Sequence, residues 1–201
     1  MAKLFFRYSA MNAGKTLDLI KVAYNYSDRG QHACILTSNI DKRAGQNKVV
    51  SRIGIEQAAI SIDDRCDLLA LIKDKHQNRH INCILVDEIQ FFTVEQIMQL
   101  SDIVDYLRIP VICYGLRSDY CGRSFPASAY LLTIADNIEE LKTICYCGKK
   151  ATFNMLLKNN IVIKDGASVV IDNSELKDNN TCFISVCRLH WKSATWTLES
   201  V

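Results

Sequence analysis

The sequence contains little proline and little glycine: two prolines and eight glycines among 201 residues. A loop-rich all-β fold and a low-complexity chain both use more of these residues, so the composition disfavours them. Also missing is any apolar run near the roughly 18–20 residues that span a membrane, and no apolar signal segment precedes the first predicted strand. We therefore expect neither a membrane span nor a secretion signal.

A large excess of charge of one sign is missing as well. The 24 Lys and Arg residues nearly balance the 22 Asp and Glu residues, which leaves a net charge of +2. This balance excludes an affinity for nucleic acid polymers or anionic membranes driven by bulk charge. The hydrophobic fraction of 49% and the charged fraction of 23% are ordinary for a globular chain with a buried core.

Cysteine, by contrast, is abundant. The nine cysteines are Cys34, Cys66, Cys83, Cys113, Cys121, Cys145, Cys147, Cys182 and Cys187. Their number is odd, and most of them lie singly within apolar segments. This usage is typical of a reducing compartment, where a buried cysteine acts as a small hydrophobic residue. We therefore expect a cytoplasmic protein.

Short apolar strands alternate with amphipathic helices as far as residue 144. The predicted strands cover 4–8, 34–37, 55–62, 81–86, 110–115 and 141–144. The predicted helices cover 16–29, 66–75, 93–107 and 126–135, with Asp63 or Asp64 capping the second, Thr93 capping the third, and Leu17 on the buried face of the first. This alternation predicts an α/β fold, in which helices cover both faces of a parallel sheet.

The pattern changes near residue 145. Short β-like pieces at 161–163 and 169–171 follow, separated by polar loops such as 172–181. We divide the chain into an α/β domain of residues 1–144, a small β-rich appendage of residues 145–192, and a tail of residues 193–201.

Residues 9–16, which read SAMNAGKT, follow the first strand and open the first helix. They match the P-loop pattern G-x-x-x-x-G-K-[ST] except that Ser9 replaces the first glycine. In such a loop, backbone N–H groups surround a phosphate, Lys15 reaches the β and γ oxygens, and Thr16 offers its hydroxyl to Mg²⁺. The alternative, a helix N-terminus with a surface lysine, fits this placement less well. The predicted triphosphate-binding residues are Ser9, Ala10, Met11, Asn12, Ala13, Gly14, Lys15 and Thr16.

A second element of this site is an apolar strand that ends in two acids, Asp87 and Glu88. Asp87 has the position of a residue that holds Mg²⁺ through its water shell. The carboxyl ends of parallel strands meet at one edge of a sheet, which places Asp87 beside the loop of residues 9–16. Glu88 faces another direction and can orient or deprotonate a nucleophile that attacks the γ-phosphate. A surface acid is the alternative for Glu88.

The appendage begins with a Cys-x-Cys pair and ends with a Cys-x-x-His pair. Cys145, Cys147, Cys187 and His190 supply four nitrogen and sulfur ligands, the complement of a tetrahedral Zn²⁺. Four protein ligands leave no open position, so the predicted zinc is structural. The alternative is two pairs of free thiols with His190 at the surface.

These motifs together resemble the zinc-containing thymidine kinases shared by bacteria, vertebrate cytosol and large DNA viruses, and especially their gammaproteobacterial members. The resemblance covers almost the whole chain. It includes the loop of residues 9–16, VDEIQFF at 86–92, CYGLRSD at 113–119 and SVCRLH at 185–190. It implies transfer of the ATP γ-phosphate to the 5′-hydroxyl of thymidine, a homotetramer, and feedback inhibition by dTTP.

The resemblance also assigns roles to residues. The implied catalytic residues are Glu88 as proton acceptor, Lys15 and Arg43. The implied ATP and Mg²⁺ residues beyond the loop are Asp41, Arg43, Asp87, Glu88, Ile89 and Gln90. The implied nucleoside-binding residues are Met11, Tyr120, Phe125, Ser168, Val169, Val170, Ile171, Asp172 and Phe183. Residues 168–172 belong to a lasso that closes over the base through main-chain groups, and zinc anchors both ends of this lasso.

Three departures from the family pattern concern this lasso. Asp172 and Asn173 stand where the family often has two glycines, Phe183 stands where it often has tyrosine, and the stretch between Ile171 and Phe183 is longer than usual. These departures leave nucleoside selectivity open, so a kinase of another deoxynucleoside such as deoxyuridine is one alternative. The other is a P-loop ATPase whose zinc ribbon binds nucleic acid or a partner. It predicts a basic stripe after residue 145, but that region mixes lysines with acids.

Overall fold

The computed structural model of the chain describes residues 1–40, 47–167 and 181–195. Strands and helices alternate through the first part of the chain, except that four strands follow one another between the first two helices. In order these elements are β1 (Leu4–Ser9), α1 (Lys15–Asp28), β2 (Ala33–Ser38), β3 (Lys48–Val50), β4 (Glu56–Ala58), β5 (Ile60–Ile62), α2 (Leu68–Asn78), β6 (Cys83–Val86), α3 (Val94–Asp102), β7 (Val111–Leu116) and α4 (Pro126–Ile134). The remaining elements are β8 (Asn137–Glu140), β9 (Thr143–Ile144), β10 (Lys150–Ala151), β11 (Phe153–Lys158), β12 (Ile161–Ile163), β13 (Thr181–Val186) and α5 (Arg188–Ser193).

Six strands form one parallel sheet in the order β5-β2-β6-β7-β1-β8. Alternate residues of β6 enter different cores: Ile84 and Val86 pack with α2, α3 and α4, whereas Cys83 and Leu85 pack with α1. Helices therefore cover both faces, which is why the strands read as apolar without alternation. The predicted α/β fold is confirmed.

Side-chain hydrogen bonds cap the N-termini of α2 and α3. Thr93 caps α3 as predicted, because its hydroxyl accepts from the Gln96 N–H while the Gln96 side chain accepts from the Thr93 N–H. The cap predicted for α2 was wrong: Asp67 accepts from Ala70 N at 2.9 Å, and Asp63 instead accepts from Arg65 N in the preceding turn. Leu17 was also misplaced, because it is exposed in the first turn of α1.

The predicted strand at 141–144 was wrong in its position. The edge strand β8 comes earlier, and its polar, largely exposed sequence gives no apolar signal. The last ladder bond joins Leu141 N to Tyr8 O at 2.9 Å. The chain then leaves the main sheet, and β9 pairs with β10 as an antiparallel hairpin.

A partly buried polar cluster fixes α1 to the sheet behind the loop of residues 9–16. Arg7 Nη1 donates to Asp18 Oδ2 at 2.8 Å and lies 3.0 Å from the Tyr114 hydroxyl. The Tyr114 hydroxyl also donates to Asp18 Oδ2 at 3.0 Å. Burial opposes ionisation of Asp18, but hydrogen bonds from Lys21 and Tyr114 and the charge of Arg7 lower its pKa overall. The N-terminus of α1 is thereby held at a fixed position relative to β1 and β7.

The C-terminal part has its own small core. The antiparallel sheet β12-β11-β13 packs with the β9–β10 hairpin around Ala151, Met155, Leu157 and Val186, and Cys145 and Cys187 complete this core. The described part of the chain contains no helix with the length and apolarity needed to cross a membrane.

Candidate functional site

The loop of residues 9–16 curls at the carboxyl end of β1. Asn12 (φ 62°) and Gly14 (φ 77°) both adopt the left-handed conformation, which turns successive N–H groups toward the inside of the loop. Lys15 is folded back over the loop, because Nζ donates to Ser9 Oγ at 3.0 Å and to Ala10 O at 3.1 Å. Such a loop at a helix N-terminus is suited to an anionic phosphate.

The small C-terminal sheet holds the middle of this loop. Asn154 Oδ1, on β11, accepts from Met11 N at 2.7 Å. Ser185 Oγ, on β13, donates to Met11 O at 2.5 Å. Asn154 is only 3% exposed, so this contact orders the backbone of a residue that would otherwise lie in a solvated loop.

Asp87 lies at the end of β6, and it meets the loop as expected from the parallel topology. Thr16 Oγ1 donates to Asp87 Oδ2 at 2.9 Å, and Glu88 N donates to Asp87 Oδ1 at 3.0 Å. Burial, together with the nearby charge of Glu88, raises the pKa of Asp87 to about 7. A carboxylate beside a threonine hydroxyl is a donor set of hard oxygens that fits Mg²⁺, and a bound cation would favour the ionised carboxylate.

Glu88 occupies an unusual backbone position, with φ 51° and ψ 41°. It caps the short 3₁₀ turn Ile89–Phe91. Gln90 fixes its side chain: Gln90 Nε2 donates to Glu88 Oε2 at 2.5 Å, and Gln90 Oε1 accepts from Leu116 N at 2.9 Å. Gln90 crosses β7 closely, since a Cβ atom on Gly115 would lie 2.7 Å from its Oε1 atom.

One cavity of about 600 Å³ connects this acidic edge to an aromatic pocket. Of the sequence-predicted residues, it is lined by Met11, Asn12, Ala13, Gly14, Lys15, Thr16, Asp87, Glu88, Gln90, Tyr120, Phe125 and Phe183. Ser9 and Ala10, at the start of the loop, are buried, and Ile89 is fully buried in the core. These three residues do not line the cavity.

The aromatic end of the cavity is built from edge-to-face contacts. The ring of Tyr120 lies 6.1 Å from that of Phe183, and Phe91 lies 6.1 Å from Phe125, with interplanar angles of 61° and 78°. Tyr120 and Phe125 are buried. A pocket with such walls suits a flat ring that stacks on aromatic faces.

Several predicted site residues lie outside the described part of the chain. They are Asp41, Arg43, Ser168, Val169, Val170, Ile171 and Asp172.

The four predicted metal ligands come together. Their ligand atoms all lie within 4.8 Å of one another. His190 Nδ1 is 3.3 Å from Cys145 Sγ and 3.5 Å from Cys187 Sγ, and Cys147 Sγ is 3.9 Å from Cys187 Sγ. Tetrahedral zinc with Zn–S of about 2.3 Å and Zn–N of about 2.0 Å separates its ligand atoms by roughly 3.5–3.8 Å. The donor set and its spacing therefore fit zinc.

Local backbone geometry supports the same site. Gly148 follows Cys147 with φ 78°, and its N–H donates to Cys145 O at 2.8 Å, which closes the knuckle. Backbone N–H groups of His190 and Leu189 direct hydrogen bonds to Cys187 and lower the pKa of its thiol despite burial. A sulfur atom with such donors is a good thiolate ligand.

Sequence reasoning missed part of the cavity wall. The missed lining residues are Leu17, Thr37, Ile40, Lys48, Val49, Val50, Ser51, Arg52, Ile53, Phe91, Leu116, Asp119, Asn154 and Cys182. Asn154 carried a usable signal, since it is a polar residue inside the apolar strand FNMLLK. The β3 segment carried none, because its contribution depends on how the chain folds back after β2.

Comparisons with known proteins agree with this geometry. The family model described as thymidine kinase matches residues 2–191. A thymidine kinase of Francisella tularensis subsp. holarctica (strain LVS) is 58% identical over 196 residues, which cover 98% of this chain and 100% of that protein. Thymidine kinases of Pasteurella multocida (strain Pm70) and Idiomarina loihiensis (strain ATCC BAA-735 / DSM 15497 / L2-TR) are 49% and 45% identical, over 96% of this chain and 97% and 98% of those proteins.

Proposed function

Because this chain belongs to the thymidine kinase family, we propose that it transfers the γ-phosphate of ATP to the 5′-hydroxyl of thymidine, giving dTMP and ADP. The observation that carries this proposal is that one continuous cavity, lined by described residues, includes both the loop of residues 9–16 and the aromatic pocket. Glu88 also lines this cavity, and in the proposal it meets the nucleoside hydroxyl that attacks the γ-phosphate.

The loop supplies the phosphate end of the reaction. Its N–H groups and the N-terminus of α1 hold the triphosphate, and Lys15 exchanges its contacts with Ser9 and Ala10 for phosphate oxygens. Thr16 and Asp87 would hold Mg²⁺, which neutralises charge on the β and γ oxygens when it is bound. Asp41 and Arg43 complete this region in the proposal, with Arg43 stabilising the charge on the transferred group.

Glu88 accepts the proton. As the 5′-oxygen forms its bond to Pγ, its proton passes to a Glu88 carboxylate oxygen, and the bond between Pγ and the bridging oxygen breaks to release ADP. The loose transition state needs little basicity, so correct placement of the hydroxyl matters most. Gln90 contributes by donating to Glu88 Oε2, which fixes the orientation of the carboxylate.

The nucleoside occupies the aromatic end. The base lies among Tyr120, Phe125 and Phe183, with Met11 at the junction between the nucleoside and the phosphates. The main chain of residues 168–172 closes over the base in the proposal. Phe183 has no hydroxyl, so base selection relies on this main chain and on shape rather than on a polar side chain at that position.

The four-ligand cluster at residues 145–190 fits a structural zinc that joins both ends of the lasso segment. We divide the chain accordingly into a kinase domain of residues 1–144, a zinc-tied lasso domain of residues 145–192 and a tail of residues 193–201. A cytoplasmic location, a homotetramer and feedback inhibition by dTTP complete the proposal. The nine unpaired cysteines support the cytoplasmic location.

The test is ADP release from ATP and Mg²⁺ with and without thymidine, with the phosphorylated product identified by mass. Thymidine-dependent release with dTMP as product is expected. Release that ignores every nucleoside would contradict a nucleoside kinase and favour an ATPase module. A panel including deoxyuridine and deoxycytidine then distinguishes thymidine from other deoxynucleosides as the preferred substrate.

A further inference from the structure

Trp191 lies next to the metal ligand His190 on α5 and contacts the turn that follows Tyr120. Its indole ring stacks on Phe153 with a centroid distance of 4.6 Å and an interplanar angle of 18°. Its Nε1 donates to Tyr120 O at 2.8 Å. One side chain thus joins the helix that carries the metal ligand His190 to a residue that lines the cavity.

The turn after Tyr120 lies directly against the indole ring. Gly122 has φ 82°, and a Cβ atom there would lie 2.6 Å from Trp191 Cζ2. A side chain at this position would therefore clash with the ring as well as strain the backbone. The close approach indicates that the turn at residues 119–122 takes its position from Trp191.

Tyr120 links this turn to the pocket, because its side chain lines the cavity. Its ring meets Phe183 edge to face, and its hydroxyl lies so close to Gly166 that a Cβ atom there would be 2.4 Å away. In the same loop, Arg123 Nη2 donates to Gly166 O at 3.1 Å. The loop held by Trp191 therefore contacts Gly166 and Phe183, which lie before and after the segment that we propose to close over the base.

We propose that Trp191 is a positioning residue for the nucleoside: its N–H and ring hold the Tyr120–Gly122 turn, so α5, which carries His190 of the Cys/His cluster, sets the shape of the pocket. This inference rests on the proposed function. Loss of one neutral hydrogen bond corresponds to about a two- to tenfold change in an equilibrium constant. Because Tyr120 O also loses its donor, we expect about a fivefold effect on thymidine affinity.

The test compares Trp191→Phe, which keeps an aromatic ring against Phe153 but removes the N–H, with Lys192→Ala. Lys192 is an exposed residue of the same helix and serves as the matched control. For each protein, KM for thymidine, KM for ATP, kcat, zinc per chain and melting temperature are measured. Trp191→Phe should raise only KM for thymidine, about fivefold, with zinc content unchanged, and Lys192→Ala should match the wild type.

A double-mutant cycle with Tyr120→Leu tests whether Trp191 affects thymidine binding through the Tyr120 ring. If Trp191 acts through the Tyr120 ring, Trp191→Phe should add little to KM for thymidine in the Tyr120→Leu background. Full additivity would overturn the proposed route. An unchanged KM for thymidine in Trp191→Phe, a loss of zinc, or an equal loss for both substrates would overturn the proposal.

If Trp191→Phe does not fold, thymidine binding to Gly122→Ala replaces it, with the same expected direction. A wild-type protein without thymidine-dependent ADP release would contradict the proposed function itself, which is a separate outcome.

Discussion

Replacing Gln90 by leucine should slow phosphoryl transfer while leaving substrate binding nearly unchanged. Gln90 is 3% exposed, and its amide bridges Glu88 Oε2 and Leu116 N at 2.5 and 2.9 Å. Leucine has a similar volume but can make neither hydrogen bond, so the substitution removes the polar contribution with little loss of packing.

The size of the effect follows from the two bonds. A hydrogen bond to a charged group contributes about 1.5–3 kcal/mol. Expressed as a barrier, this corresponds to roughly a 10- to 150-fold fall in kcat. Leaving the partly buried N–H of Leu116 without an acceptor costs at most about 1–3 kcal/mol of folding free energy, so a lower melting temperature is expected as well.

The assay is steady-state phosphorylation with both KM values, together with urea unfolding. Gln57→Leu, at an exposed position of β4, controls for a general loss of solubility or activity. The same substitution of Gln90 made in Glu88→Gln should lower kcat little further, because Gln90 would act through the Glu88 carboxylate. A kcat within about threefold of wild type for Gln90→Leu, well below the calculated range, would refute the reasoning.

Three further outcomes are expected. Glu88→Gln should leave ATP affinity intact and lower kcat about 100- to 10,000-fold, measured by nucleotide titration and turnover; near wild-type turnover would make Glu88 a bystander. Metal analysis should find about one zinc per chain, and Cys147→Ser should lose that zinc and melt earlier; a folded, active protein without metal would contradict the site. The exposed thiol of Cys182 lines the cavity, so its alkylation should inactivate the enzyme, and bound thymidine should protect against this inactivation. The Cys182→Ser variant should resist the reagent. Equal inactivation of that variant would argue against this placement of Cys182.

The sequence predicted the elements that have strong local signals. The apolar strands β1 and β6, the Thr93 cap and the loop of residues 9–16 depend on neighbours along the chain, and each appears where expected. Because parallel strands end at one edge, the meeting of Thr16 and Asp87 also followed from topology. The spacing of the four cysteine and histidine residues was sufficient to predict that they come together as a set of metal ligands.

The misplaced features depend on contacts between distant segments. The polar edge strand β8 is held by pairing with β1 and carries no apolar pattern of its own. Leu17 fits the helical period, yet its position in the first turn places it at the mouth of the cavity. The hydrogen bonds of Gln90 also require β7 beside the 3₁₀ turn, which local sequence does not reveal.

The hydrogen bonds of Asn154 and Ser185 with the Met11 backbone affect the order of folding during synthesis. The peptide groups of Met11 are synthesised early, but their partners lie 143 and 174 residues later in the chain. Contacts at such sequence separation form late, because much of the chain must first be ordered. On the ribosome, β1 and α1 can therefore assemble while the nucleotide loop between them still samples many conformations. The hydrogen bond from Ser185 to Met11 can form only when β13 has emerged, so a nascent or truncated chain can form its parallel sheet before this contact orders the loop.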